Sequence, residues 1–527
     1  MKLYKKIFSF IAISATALSF TACTGDLNVT PIDPSLNTPD KVLTSESAYN
    51  QLLAKCYAGL AVSSPDGASG SPDISGIDGG FGQYLRALYY MNELPTDEAV
   101  IGWNDQTVKD LHKLAWSTSD VFVSAMYGRL FYQIALCNEV IRQIKASSVN
   151  SSAMTQYLAE ARCLRALSYY HAIDMFGNVP FITDESTVGG ANPTQISRAD
   201  LYKWLTETEI PDFITSLPDS PENYRCGKGM AYMLMAKLYL NAKVYTGTAA
   251  YDKCVEYCKK IIDLGYTLES NYNWKNLFNG YNVKLQGKGH EIIFSVYQDE
   301  YNTQAYGGTT FLGLAAMGGS MTPATYGLTA GGWSGLRVTP EFVNKFENTD
   351  VRYVFYTDGQ KKDIADIGTF TDGYAFPKFT NLDESHGTTG GKQGNFSNAD
   401  FPIFRLADVY LMLAECQVVG GATVSINGHD GVWFFNQIRD RAYNDNIHDL
   451  GSLTATNILD ERARELAWEC HRRSDLVRFG KLTTSDYVWA WKGGSKDGSA
   501  VDSHFNLFPI PSSDINSNSN LTQNTGY

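Results

Sequence analysis

With 527 residues, 44% of them hydrophobic and 19% charged, the chain has the composition of a large folded protein and not of a disordered one. Its net charge of −13 argues against the basic face that nucleic-acid binding needs to neutralise phosphates. Aromatic residues reach 13%, and tyrosine leads them with 32, the aromatic whose hydroxyl suits a place half in water.

The chain begins with Lys2, Lys5 and Lys6, an apolar run from Ile7 to Leu18, and then Phe20-Thr21-Ala22-Cys23. A basic start, a short apolar stretch and small residues before a break describe a secretory signal, too short for a membrane span. A cysteine directly after Thr-Ala resembles the lipobox of bacterial lipoproteins, with Phe20 departing from the aliphatic residue preferred there. The expectation is a signal peptide over 1–22, cleavage before Cys23 and lipidation of Cys23, the alternative being an ordinary secreted protein cleaved nearby. Cleavage removes three lysines and makes the mature chain more acidic. Residues 23–40, rich in Thr, Pro, Asn and Asp, read as a solvated tether. The other eight cysteines are Cys56, Cys137, Cys163, Cys226, Cys254, Cys258, Cys416 and Cys470. Most fall in apolar helical patterns and read as small hydrophobes, with no zinc site and no required disulfide.

A single domain is expected over 41–527, with a helical part over about 41–275. Leu130, Ile134, Cys137, Ile141 and Ile144 recur at spacings that lay one apolar stripe on a helix. Tyr157 to Phe176 is a second helix, stopped by Gly177-Asn178 and Pro180. Helices over 199–217, 230–240 and 251–264 follow, the last closed by Gly265. The pairing resembles tetratricopeptide-type packing, although no clean repeat of about 34 residues is present. His290 to Tyr297 is the best strand candidate. From Tyr301 to Gly394 the chain is crowded with Gly, Thr, Asn and Tyr, so 276–400 reads as a loop-rich insert. Helices return over 401–527: Val409, Met412, Leu413 and Cys416 form one stripe, Trp433 to Tyr443 carries another, and Leu459, Ala463, Leu466 and Cys470 a third. The fold class is mostly α-helical, with helix pairs, a loop-rich insert and a few short strands.

Several segments in order resemble the SusD/RagB family of Bacteroidetes outer-membrane lipoproteins. They are Glu160-Ala161-Arg162 with Arg165 to Tyr170, running into Phe176-Gly177-Asn178-Val179-Pro180; Arg405 to Glu415; Asn436 to Ala442; Glu461 to Arg473 with Asp475 to Gly480; and the end, Pro509-Ile510-Pro511 with Asn520 to Tyr527. The resemblance implies a SusD-like fold and a cell-surface, outer-membrane lipoprotein. It also implies a receptor that captures oligo- or polysaccharide and sits as a lid on a SusC-like TonB-dependent transporter. It further implies that Glu461, Arg462, Arg464, Glu465, Glu469, Arg472, Arg473 and Asp475, like Arg405 and Asp408, are structural ion pairs tying helices together. The alternatives are the same scaffold binding a non-glycan nutrient such as a peptide and, from another class, a secreted glycoside hydrolase.

The chain has no His-Glu-x-x-His, no Gly-x-Ser-x-Gly and no phosphate loop. Its histidines are scattered singly. Asp97/Glu98 and Asp383/Glu384 are adjacent carboxylates, a poor arrangement for flanking one glycosidic bond. A binding protein, not an enzyme, is the expectation. A sugar ring stacks its C–H face on Trp or Tyr while its hydroxyls need polar partners at the rim. The segment Glu93 to Asp105 resembles the region where family members place an early aromatic and polar contacts. Trp103 stands there between Gly102 and Asn104, outside any apolar stripe, and the insert supplies Tyr301, Tyr306, Tyr326 and Trp333 among glycines. The candidate glycan-binding set is therefore Trp103, Tyr301, Tyr306, Tyr326 and Trp333, with Arg86, Asn104, Asp105 and Arg337 as polar partners. Trp204, Trp433 and Trp468 read as core. The oxygen-rich stretch Thr357 to Asp372 offers atoms for a structural Ca²⁺ but no ordered ligand spacing, so no cofactor is expected.

Overall fold

A computed structural model describes residues 38–383 and 396–527. Cys23, the signal segment, all but the end of the tether, and Glu384 lie outside the described residues. The chain divides after Ala48; the part before it contains the short helix Pro39–Val42, and the following concerns Tyr49–Tyr527. None of the described helices is long and apolar enough to cross a membrane.

Helices α1 (Tyr84–Asn92), α2 (Val121–Lys145) and α3 (Ser152–Phe176) lie in the N-terminal part of the domain, and α2 packs along α3. Asp120 starts α2 by accepting the N–H groups of Phe122 and Val123 at 2.9 and 3.0 Å. The stripe from Leu130 to Ile144 is buried along it. Ser151 caps α3, which stops where Gly177 takes φ +70°, a conformation that suits glycine. The segment expected as one helix over 199–217 is broken into Arg198–Lys203, a wide π turn over Trp204–Glu209 and Ile210–Phe213. Pro211 explains the break, since it lacks an N–H and its ring crowds the preceding turn. Then α4 (Lys228–Leu240) pairs with α5 (Tyr251–Asp263), where the Cys254 and Cys258 sulfurs lie 3.9 Å apart as buried thiols.

The predicted strand is β2 (Ile292–Val296); it follows β1 (Val100–Ile101) and pairs antiparallel with a strand that periodicity did not announce, Phe401–Arg405. Helix α6 (Gly308–Ala315) lies inside the insert and packs against α1. Strand β3 (Leu336–Arg337) pairs antiparallel with β1, Val100 opposite Arg337 and Ile101 opposite Leu336. Beyond it, β4 (Phe401–Arg405) leads into α7 (Leu406–Val418), which packs against α8 (Gly431–Tyr443) and α9 (Ala455–Leu466), before α10 (Arg472–Arg478).

The charges of the sequence pattern form a buried network. Arg405 reaches Glu465 at 2.9 Å and Glu469 at 2.6 Å, and Arg352 reaches Asp350 and Glu461 at 2.7 Å, all four partners fully buried. Burial opposes the charge on Glu465, but Arg441, Arg405 and Arg352 outweigh it and hold its carboxyl below the usual range. The stripe expected to continue to Cys470 does not. Helix α9 ends at Leu466, and Trp468 and Cys470 take φ +61° and +67°. The buried Trp468 indole, donating to the Glu98 carbonyl at 3.0 Å, anchors that turn, and Glu469 still faces Arg405.

Candidate functional site

The two-residue ladder between β1 and β3 brings together loops that are far apart in the chain. It continues with Gly102 donating to the Gly335 carbonyl at 2.9 Å. Just beyond, the Trp103 indole N–H donates to the Trp333 carbonyl at 3.0 Å, and the two indole rings stand 6.4 Å apart, inclined by 45°. The Trp333 main chain is fixed from the other side, its N–H on the Leu314 carbonyl at 2.8 Å. Glycine is needed at 335, because a Cβ there would lie 2.8 Å from the Trp103 ring carbons.

Tyr306 completes the group. Its ring lies 6.1 Å from Trp333, inclined by 62°, and 5.7 Å from Phe396. It precedes α6, whose first residue is tied to α1 by one side chain: Gln83 Oε1 accepts the N–H groups of both Arg86 and Gly308 at 3.0 Å. Arg86 on α1 stands among the rings. Its Nε donates to the Tyr90 hydroxyl at 2.9 Å and its Nη1 to the Tyr306 carbonyl at 2.7 Å. Its guanidinium carbon lies 4.6 Å from the Phe311 ring centre and 5.5 Å from that of Trp103. Burial raises the Tyr90 hydroxyl pKa, with Arg86 working the other way.

Trp103, Tyr306, Trp333 and Arg86 are all half-buried, so each has both a support and an open side. Arg86, Tyr306 and Trp333 border an open cleft of about 520 Å³, whose opposite wall is the loop of Ser69, Gly70, Asp78 and Gly80. Asp78 shapes that wall by accepting the N–H groups of Gly80 and Phe81 at 2.8 and 3.1 Å. Asn104 and Asp105 follow Trp103 on the surface; the Asn104 side chain accepts from Lys109 at 2.6 Å.

Three expected residues stand elsewhere. Arg337 is fully buried and is corrected to scaffold: its guanidinium donates to the carbonyls of Thr369, Asp372 and Ile367, bracing the insert behind β3. Burial without a bound carboxylate lowers its pKa to about 10. Tyr301 is 53% exposed on a turn organised by Asp299, which accepts its N–H at 2.9 Å. Tyr326 borders a different cleft. Residues that the sequence pattern did not single out include Phe311, Tyr90 and Phe396. The first two lie in apolar helices, where nothing distinguishes a ring beneath a site from core. The wall loop did carry a signal, the run of glycines from Gly67 to Gly82. Of the tryptophans expected in the core, Trp468 is fully buried, Trp204 packs on Tyr169 and Phe181, and Trp433 is half-buried and stacks on His429 at 3.7 Å.

The strongly shifted carboxyls are not in the cleft. Burial raises Glu98 to about 8, and Asp97 is locked between Arg472 at 2.7 Å and the Tyr487 hydroxyl at 2.6 Å. Both are fully enclosed. In the oxygen-rich stretch, Asp366 accepts from Gly368 and Thr369, and Asp372 from the Asp366 N–H and Lys361.

Residues 352–527 match the profile of the SusD family. The whole chain is 32% identical to starch-binding protein SusD of Bacteroides thetaiotaomicron, covering 99% of that protein. It is 26% identical to SusD-like protein P25 of Formosa agariphila, over 78% of this chain and 81% of the relative. Among solved structures, surface glycan-binding protein A from Bacteroides fluxus superposes with a TM-score of 0.70 at 22% identity, over 92% of this chain and all of that one. Surface glycan-binding protein A from Bacteroides thetaiotaomicron in complex with laminarihexaose gives 0.68 at 19%, over 91% and 99%. These two support the fold alone; the full-length identity carries the assignment, and the chain belongs to the SusD family.

Proposed function

We propose that this protein binds a glycan at the cell surface, as a lipoprotein anchored through Cys23 in the outer membrane, and passes it to a SusC-like TonB-dependent transporter. One observation carries the binding reading: Trp103, Tyr306 and Trp333 present three half-buried rings around Arg86, beside an open cleft with a polar wall. Such rings take the C–H faces of sugar residues, while Arg86, Asn104 and Asp105 stand ready for hydroxyls. Coplanar rings would fit a flat chain; rings inclined at 45° and 62° fit one that bends. The starch-binding relative at 32% identity supports the same class of ligand.

The reading needs no catalysis. Glu98, whose pKa burial raises to about 8, is sealed in the interior beside Asp97, out of reach of a polysaccharide. Calorimetric titration of the purified protein against a panel of polysaccharides and peptides tests the proposal. Saturable binding of a glycan and of no peptide is expected; peptide binding alone would overturn it. Release of reducing ends from a bound polysaccharide would replace it with the hydrolase reading. For the anchor, Cys23→Ala should move the protein out of the membrane fraction when the transporter gene is absent.

A further inference from the structure

A second cleft, of about 480 Å³, opens on the insert and is lined by Tyr326, Tyr353 and Tyr356, with Trp274, Asn279 and Thr325. Its size falls within the roughly 300–1,000 Å³ of small-ligand sites. The three tyrosines are half-buried, supported behind and open in front. Tyr326 and Tyr356 pack on the cluster of Leu314, Met317, Met321, Leu328 and Ala375, and Trp333 packs on the same cluster. One apolar wedge therefore supports aromatic rings facing two different hollows.

Two features define what the second hollow would take. Trp274 is 1% exposed, yet its indole N–H meets no acceptor among the described residues, an unfavourable state for a buried donor. The buried cation bordering the cleft, Lys378, is already neutralised: it donates to Glu469 at 2.6 Å and to the Ala467 carbonyl at 2.7 Å. A charged ligand would find no buried counter-ion there, and Lys275 is exposed at the rim. Tyrosine faces, a carboxamide and hydroxyls suit an uncharged molecule with apolar faces and many hydroxyls.

We infer that this cleft is a second contact site for neutral oligosaccharide, resting on the glycan-binding reading of the Trp103–Trp333 site. A long polysaccharide would engage both, and the second contact would raise retention through local concentration without altering the first. Short chains would fill the two independently.

The test compares wild type, Trp103→Ala/Trp333→Ala, and Tyr353→Ala and Thr325→Arg as separate variants. Thr325 is exposed on the rim, so its replacement obstructs the cleft without touching the core. Calorimetry uses maltoheptaose and laminarihexaose, and gel retardation uses the polysaccharide that binds best in the panel. The expected result is two classes of site for a short oligosaccharide. The weaker class should survive Trp103→Ala/Trp333→Ala and be lost when Thr325→Arg is added. Thr325→Arg or Tyr353→Ala alone should weaken polysaccharide retention by about tenfold. One class of site, wholly lost in the double tryptophan variant, would refute the second cleft and leave the first standing. Full binding in the double tryptophan variant, lost with Thr325→Arg, would place the glycan in the second cleft and refute the first. No binding by wild type to any polysaccharide refutes both.

Discussion

Replacing Trp333 with alanine removes a ring while leaving the loop that carries it in place. The main chain at this position is held by the Leu314 carbonyl and in turn holds the Trp103 indole, and both bonds survive the substitution. What is lost is the surface available for stacking. One face of an indole is about half of the roughly 200 Å² that a tryptophan can bury, or ~100 Å². At about 25 cal/mol per Å² the gross loss is about 2.5 kcal/mol, and the regained freedom of ligand and side chain brings it to about 2 kcal/mol, near 30-fold in Kd. Calorimetry with the glycan that binds wild type reads this directly. Trp333→Phe, which keeps a smaller ring, should lose less than fivefold. The melting temperature should fall by only a few degrees, because Trp333 is half-exposed and the cluster beneath it remains. Affinity within twofold of wild type in Trp333→Ala would refute the assignment of these rings to the ligand.

Gly335→Ala should displace the Trp103 ring, 2.8 Å from the added Cβ, and weaken the same binding by about tenfold with the fold retained; unchanged affinity would show that the orientation of Trp103 is not used. Arg405→Met takes from the buried Glu465 and Glu469 the cation they share, leaving Arg441 and Arg352 on the first and Lys378 on the second, and should cost about 3 kcal/mol in urea unfolding; a loss below about 1 kcal/mol would contradict the network. Asp400 accepts the Gln298 N–H at 2.8 Å in a fully buried place, and burial raises its pKa to about 8 from 3.8. The folded state therefore retains a proton that the unfolded state gives up. Its stabilising contribution is whole below about pH 4, falls as pH rises towards 8 and is level beyond. Asp400→Asn should match wild type in thermal stability near pH 4 and exceed it at pH 8, and an unchanged pH profile would refute the assignment.

The helices were legible because a stripe such as Leu130 to Ile144 has only one way to be buried, while their starts at Val121 and Ser152, set by the caps Asp120 and Ser151, lie ahead of the positions the periodicity marked. The Glu and Arg residues of α9 were expected as ion pairs from the family resemblance alone, and the structure pairs Glu461 with Arg352, Arg462 with Asp408 and Glu465 with Arg405. Trp103, Tyr306 and Trp333 stood out as aromatics beside glycines, and the structure brings all three together. The same rule failed to separate Tyr326, because glycine neighbours describe a loop and not the hollow it borders. Arg337 misled for a further reason: three carbonyls of the 367–372 segment accept from it, and carbonyls leave no trace in a sequence. Phe311 and Tyr90 were hidden by lying in helices whose other positions are core.

The ladder of β1 and β3 joins residues more than two hundred positions apart, with only two residues on each side. Closing so long a loop is entropically unfavourable, and so short a ladder returns little, so its stability rests on the packing of α1 against α6. The aromatic group therefore owes its geometry to that helix packing and not to its own ladder. A substitution that loosens α1 from α6, far from any ring, would disarrange the rings without removing one. Competence to bind thus reports on intact helix packing.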